Sequence, residues 1–431
     1  MRTDVKLSTQ FLAAQNAHQV GLLVTVTGDT PLRRPPLNLS LVLDRSGSMG
    51  GPPLDTAKEA ASQFVRGLAP QDRVSIVTYD DKIATPWGPG AGGDPSVDQA
   101  IAGIQAGGST NLSGGWLEGR RHVAAAKVEG VNRVLLFTDG LANNGIVDPV
   151  QLRDLAGGAR GDGVSTTCIG FGVGFNEDLL RSMSDAGGGQ FWYVESLERL
   201  APMLQGEIAG LIALAAQNLT LKVLGRHPHL AGVTVVQGIP FERDAEGNWV
   251  IRLGDLLATR PVELGLRLHI EEVSQLGNAL IADIEITADV ITAEGIQHRL
   301  VRLPVTADLD GVGKSEPVVE VAFTRFEAAQ ARAEAIAKAD EGDMDGAATV
   351  LHNAAQSLRG LAEPTASDLE RAEDLEQEAL RMKEERYDVH LDRKYLMMRN
   401  VAERQGRMDK VNLSRRTSED EAKRAPPRPK Q

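Results

Sequence analysis

The chain is poor in the features that build cross-linked, secreted or membrane-spanning proteins. One of its 431 residues is cysteine, Cys168, so no intrachain disulfide can form and the fold has to rest on buried apolar cores. Cys168 lies in Ser165-Thr166-Thr167-Cys168-Ile169-Gly170, with no histidine or basic residue nearby in sequence to favour a thiolate. It reads as a small core residue. Long apolar runs are missing as well. The most apolar stretch, Ile208 to Ala216, is too short to span a bilayer, and Met1-Arg2-Thr3-Asp4-Val5-Lys6-Leu7 holds no secretory apolar segment. These absences predict no membrane span, no signal peptide and a cytoplasmic location. Basic charge is in deficit: 46 Lys and Arg stand against 59 Asp and Glu, a formal net charge of −13. That balance argues against general nucleic-acid binding.

What is present is ordinary for a soluble globular protein, with 42% hydrophobic and 24% charged residues. The length implies two or three domains. One stretch organises the reading: Leu41-Val42-Leu43-Asp44-Arg45-Ser46-Gly47-Ser48-Met49. An apolar strand ends at a carboxylate, and two hydroxyls follow with a glycine between them. A loop folded back there brings Asp44, Ser46 and Ser48 together, an oxygen-only set suited to a hard cation such as Mg²⁺. Taken alone, the pattern reads first as a serine-rich turn capping the next helix.

Two further stretches bear on that choice. Gly107-Gly108-Ser109-Thr110-Asn111-Leu112-Ser113-Gly114-Gly115-Trp116 places a hydroxyl, Thr110, in a glycine-rich loop before a helix. Val134-Leu135-Leu136-Phe137-Thr138-Asp139-Gly140 is a second apolar strand ending in a carboxylate, Asp139. With these in hand, residues 36–215 resemble the von Willebrand factor A, or integrin I-domain-like, family. Its metal-ion-dependent adhesion site is Asp-x-Ser-x-Ser, then a Thr, then an Asp after a later strand. Asp44, Ser46, Ser48, Thr110 and Asp139 match in order and spacing. The resemblance implies Mg²⁺ or Mn²⁺ held directly by Ser46, Ser48 and Thr110. Asp44 and Asp139 would act through water, leaving an open position for an Asp or Glu of a protein partner. It implies binding and not catalysis, since the three motif segments hold no His or Lys and Arg45 is the only nearby cation. The alternatives are an adaptor subunit of an AAA+ ATPase of the MoxR or chelatase kind and, further off, a Mg²⁺-dependent hydrolase.

The expected architecture is multidomain α/β plus β: a doubly wound, mostly parallel Rossmann-like sheet inserted in a β-sandwich, followed by C-terminal helices. Residues 1–30 supply two strands, within 3–12 and 18–27, that join the sandwich. Residues 36–215 are the A domain, with helices near 53–68, 95–105, 113–127, 149–160, 177–186 and 197–215. Residues 217–325 alternate as a β-sandwich that includes a strand at Pro317 to Thr324. Residues 326–412 are helical: a tetratricopeptide-like hairpin turning at Gly342-Asp343, then a long helix from about 368 to 408 capped at Ser367-Asp368. The change from acidic (from Glu370) to basic (from Arg393) along that helix reads as a solvated face. Residues 413–431 read as a disordered tail. Gly170-Phe171-Gly172-Val173-Gly174-Phe175-Asn176 lacks the Lys and the spacing of a phosphate loop, and is expected to be a turn with Asn176 as helix cap. His227-Pro228-His229 is expected to be an exposed turn.

Overall fold

The computed structural model describes residues 1–8, 18–31, 33–194, 199–228, 230–271, 278–308, 316–384, 387–388 and 391–404. Strands β1 (Arg2–Leu7) and β2 (His18–Thr27) come first. An alternating unit follows: β3 (Leu37–Asp44), α1 (Pro52–Gly67), β4 (Arg73–Tyr79), β5 (Ile83–Ala91), α2 (Val97–Ala102), α3 (Leu112–Ala125), β6 (Val131–Thr138), α4 (Pro149–Gly161), β7 (Ser165–Phe171), α5 (Glu177–Gly187), β8 (Gly188–Val194) and α6 (Leu200–Ile212). Then come β9 (Leu214–Gly225), β10 (Leu230–Val235), β11 (Phe241–Arg243), β12 (Trp249–Leu257), β13 (Val262–Ile270), β14 (Asn278–Thr292) and β15 (Gly295–Asp308). Helices α7 (Pro317–Asp340), α8 (Met344–Arg359), α9 (Ala366–Lys383) and α10 (Asp392–Arg404) close the described chain. None of the described helices is long and apolar enough to cross a membrane.

The alternating unit forms one six-stranded sheet in the order β5-β4-β3-β6-β7-β8, parallel except for β4 against β5. Every residue of β3 and β6 is buried, because both faces are covered. Leu37, Leu39, Leu41 and Leu43 alternate onto the face packed by Leu54 and Phe64 of α1 and Leu204 of α6. Val42, Val134 and Leu136 point the other way, against Trp116 of α3, Leu152 of α4 and Met183 of α5. The carboxyl ends of β3 and β6 therefore meet at one edge, where an open parallel sheet leaves its crevice.

Two antiparallel sheets form the sandwich, in orders β1-β2-β13-β10 and β11-β12-β9-β14-β15. β2 pairs with β13 along its length, from Val26 opposite Val262 to His18 opposite Ile270. The strand before the A domain is thus completed by a strand after it, so the parallel-sheet unit is inserted in the sandwich. Val20, Leu22, Val24 and Val26 face Leu219, Leu221, Ile251 and Ile284 in the shared core.

The structure corrects several expectations. Residues 317–324 are the first turns of α7 and not a strand: Pro317 sits at the first helical turn, where a missing N–H costs nothing. Val319, Ala322 and Phe323 pack on Leu23 and Val236, so tertiary burial overrides the β-branched run. The helix expected over 197–215 ends at Ile212, and Leu214–Ala216 already belong to β9. The long helix expected from 368 is two helices, α9 and α10. Thr365 caps α9, with Asp368 as its reciprocal partner. The basic stretch of α10 is not a solvated face. Lys394 and Arg399 are buried, and Arg393 and Lys394 pair with Glu177 of the A domain. Residues 9–12, His229 and the expected tail over 413–431 lie outside the described residues.

Candidate metal centre

Asp44 ends β3 with its carboxylate fully buried. The Ser46 N–H donates to Asp44 Oδ1 at 2.8 Å, and Thr138 Oγ1 donates to Oδ2 at 2.9 Å. Tyr79, opposite Asp44 in the β3–β4 register, donates to the Phe137 carbonyl at 2.7 Å and places its hydroxyl 3.3 Å from Asp44 Oδ2. After Asp44 the chain turns through a short 3-10 segment, Gly47–Met49. Ser46 Oγ and Ser48 Oγ lie 3.2 Å apart, and Ser48 Oγ donates to Asp139 Oδ1 at 2.8 Å.

The Thr110 loop is seated on this turn by its backbone. Gly47 N–H donates to the Gly108 carbonyl at 3.2 Å, and Gly107 N–H donates to the Arg45 carbonyl at 2.9 Å. Gly108 has φ +63, and a Cβ there would lie 1.8 Å from Asp81 Oδ1, so only glycine fits this approach. Thr110 is held by Asn143. Its N–H donates to Asn143 Oδ1 at 2.8 Å, and its carbonyl accepts from Asn143 N–H at 3.2 Å. Gly140 lies between the segments: a Cβ there would be 3.7 Å from Thr110 Oγ1 and 3.9 Å from Ser48 Oγ.

All five residues singled out in the sequence therefore converge. Sequence reasoning missed those that hold them: Thr138, Tyr79 and Asn143. Thr138 precedes Asp139 in the quoted run, and Tyr79 is found by aligning the ends of β3 and β4. Asn143 carries no local signal.

The electrostatics are those of a site short of positive charge. Burial pushes the Asp44 carboxyl up, against the hydrogen bonds from Ser46, Thr138 and Tyr79. Burial also pushes Asp139 up; the Ser48 hydrogen bond opposes this and the Asp44 charge adds to it. Arg45, next to Asp44 in the chain, is engaged elsewhere: it donates to Asp80 Oδ1 at 3.0 Å and to the Gln105 carbonyl at 3.3 Å. Two carboxylates and three hydroxyls, with no ion pair to either carboxylate among the described residues, fit a hard divalent cation. Among the described residues no group of three or more His, Cys, Asp or Glu gathers as an alternative centre.

Asn176 caps α5, accepting from Leu179 N–H at 3.0 Å, as the glycine-spaced turn before it implied. Gly174 of that turn packs on the metal-site edge, where a Cβ would lie 2.7 Å from the Asp139 carbonyl.

Residues 38–206 match the family model of the von Willebrand factor type A domain. The chain is 29% identical over 374 residues to an uncharacterized protein, sll0103, of Synechocystis sp., covering 83% of this chain and 88% of that one. A solved von Willebrand factor type A protein from Catenulispora acidiphila superposes with TM-score 0.70 at 18% identity, over 93% of this chain and 96% of that one. The ArnB paralog VWA2 from Sulfolobus acidocaldarius superposes with TM-score 0.64 at 16% identity, over 95% and 99%. At these identities the two structures establish a shared fold. They cover the sandwich and the helices as well as the parallel sheet.

Proposed function

From the premise that residues 38–206 are a von Willebrand factor type A domain, a family that commonly mediates protein–protein interactions, we propose that this chain is a binding protein whose partner recognition is gated by a divalent cation. The supporting observation is the convergence of Asp44, Ser46, Ser48, Thr110 and Asp139 while Arg45 is committed to Asp80. Ser46, Ser48 and Thr110 would hold Mg²⁺ or Mn²⁺ through their hydroxyls. The bound ion would supply a hard Lewis-acid position for a carboxylate of the partner.

The chain's own residues prepare that position. Thr138 and the Ser46 N–H fix the Asp44 carboxylate at the floor, and Asp139 orients the Ser48 hydroxyl. Asn143 and the Gly107–Gly108 backbone fix Thr110. Gly140 keeps the rim low enough for an incoming Asp or Glu. No His or Lys stands among these groups to serve as base or nucleophile, which favours binding over hydrolysis. The partner is a protein presenting an acidic side chain; an AAA+ ATPase is one such candidate, and co-purification identifies it.

The test is the melting temperature with Mg²⁺ or Mn²⁺ against chelator. An ion at a hundred times its Kd stabilises the native state by about 2.7 kcal/mol. The wild type should respond and Asp139→Ala, still folded, should not. An equal response in both would place the metal elsewhere. Turnover of a general phosphoester that disappears in Asp139→Ala would replace the binding reading with the hydrolase.

A further inference from the structure

A cleft of about 970 Å³ opens at the β8 edge of the parallel sheet, between α4, α5 and the head of β8 on one wall and β9, β11, β12 and the start of β13 of the sandwich on the other. Arg160, from the last turn of α4, lines it and is 8% exposed. Its guanidinium is placed by two unusual backbone positions. Gly188 has φ +69, and a Cβ there would lie 2.8 Å from Arg160 Nε and 3.2 Å from Cζ, so the Arg160 side chain packs against bare backbone. Asn218 has φ 55, the one positive value at a non-glycine among the described residues. Its Oδ1 accepts from Arg160 Nε at 3.1 Å, and its Nδ2 donates to Asp289 at 2.8 Å. Strained residues of this kind persist where the surroundings fix them, and they gather at binding sites.

Those contacts use only Nε. Among the described residues, the two terminal nitrogens of Arg160 make no hydrogen bond or ion pair, and neither is sealed from solvent, so they face the cleft. The three acids whose charges reach Arg160 are each hydrogen-bonded or paired elsewhere: Asp255 with Arg133, Glu242 with Arg252, and Asp289 with Asn218 and His298. Burial disfavours the charged form of Arg160, Asp255, Asp289 and Glu242 oppose this, and the charge of Arg252, which lines the same cleft, adds to it. An almost buried arginine offering two parallel N–H donors into a cavity of small-molecule size is a receptor for a planar or tetrahedral oxyanion.

We propose that this interdomain cleft binds a small ligand through one oxyanion group, a carboxylate or a phosphate, seated on Arg160, with Ile239, Phe241 and Val250 offering its apolar wall. Six carboxylates and four guanidiniums line the cleft, a balance that disfavours nucleic acid and polyphosphates and fits a single anionic group. The site is independent of the cation site at Asp139.

The experiment titrates the full chain with inorganic phosphate and, separately, with acetate, in chelator and at ionic strength matched with chloride. Heat of binding and melting temperature are followed. One of the two anions should bind saturably in the millimolar range, and which one does names the ligand's group. Asp139→Ala should keep that binding and Arg160→Gln should lose it. Arg160→Lys, which keeps the charge without the two-pronged donor, should bind at least about tenfold more weakly. Absence of saturable binding by either anion overturns the proposal. So does an affinity unchanged in Arg160→Lys or Arg160→Gln.

Discussion

Lys394 of α10 donates to the carbonyl of Phe175 at 2.9 Å, and its ammonium lies 4.3 Å from the centre of the Phe175 ring. The same ammonium pairs with Glu177. The most C-terminal described helix is thereby fastened to the β7–α5 turn, whose Gly174 touches the Asp139 carbonyl. Glu177 is pushed up by burial and drawn down further by Lys394 and Arg393, so its carboxyl sits below the ordinary value of 4.5. Such a group contributes stability that is complete above the unfolded value and is lost as pH falls through the folded one. Lys394→Met should cost about 2–4 kcal/mol at pH 7, since Arg393 still pairs with Glu177. The gap to wild type should narrow as pH falls from the ordinary value of 4.5 through the lower folded one. Urea denaturation at neutral pH and over an acid series below that ordinary value measures both, and a gap that widens on acidification would contradict the assignment.

Arg133 of β6 makes the corresponding tie between the A domain and the sandwich. It is 1% exposed, donates to Ser165 Oγ at 2.8 Å and Glu207 at 3.3 Å, and pairs with Asp255 of β12. Arg133→Met would remove the buried cation that pairs with two buried carboxylates, at a cost of about 3–5 kcal/mol. Adding Asp255→Leu should recover part of that loss, because an apolar replacement removes one of the two charges. Denaturant midpoints of wild type, single and double variants test this; a double variant no more stable than Arg133→Met would show that the loss does not come from the Asp255 charge.

The parts of the molecule legible in the sequence are those set by local chemistry. Asp44 and Asp139 announce themselves because apolar runs stop abruptly at them, and the parallel sheet follows from buried strands alternating with helices. Asn176 was readable as a cap for the same local reason. The first turns of α7 were not, because Val318, Val319 and Val321 favour a strand until Leu23 and Val236 supply a helix-shaped apolar seat. The basic face of α10 was misread because its acidic partners Glu177, Asp178 and Asp340 lie far away in sequence. Arg160 had no signal at all: its setting depends on Gly188 and Asn218, which no periodicity links to it.

Cys168 lies at 0% exposure between β6 and β8, and burial pushes its thiol up to about 12. A thiol so placed is neutral and inaccessible at neutral pH. Ellman's reagent should therefore release essentially no thionitrobenzoate from the native chain and one equivalent once urea has unfolded it. Rapid reaction of the native protein would mean that β7 opens well below the global unfolding transition.

The insertion itself sets the last expectation. β2 is an interior strand, flanked by β1 on one side and β13 on the other. Val20, Leu22, Val24 and Val26 are each at most 1% exposed on its inner face. Burying side chains of this size contributes about 1.5–3 kcal/mol each. Deleting residues 1–30 removes all four, together with the hydrogen-bond ladder to β13, so the loss approaches the 5–15 kcal/mol that holds a typical domain together. It also leaves β13 with an unpaired edge that invites association. The truncated chain should lose the sandwich's cooperative unfolding transition and tend to aggregate. Leu22→Ala is the milder probe, with an expected cost of about 2–5 kcal/mol and no change of fold. If the truncated chain melts with the same midpoint and cooperativity as the full one, β2 contributes nothing to the sandwich, and the pairing of Val26 with Val262 has no energetic weight.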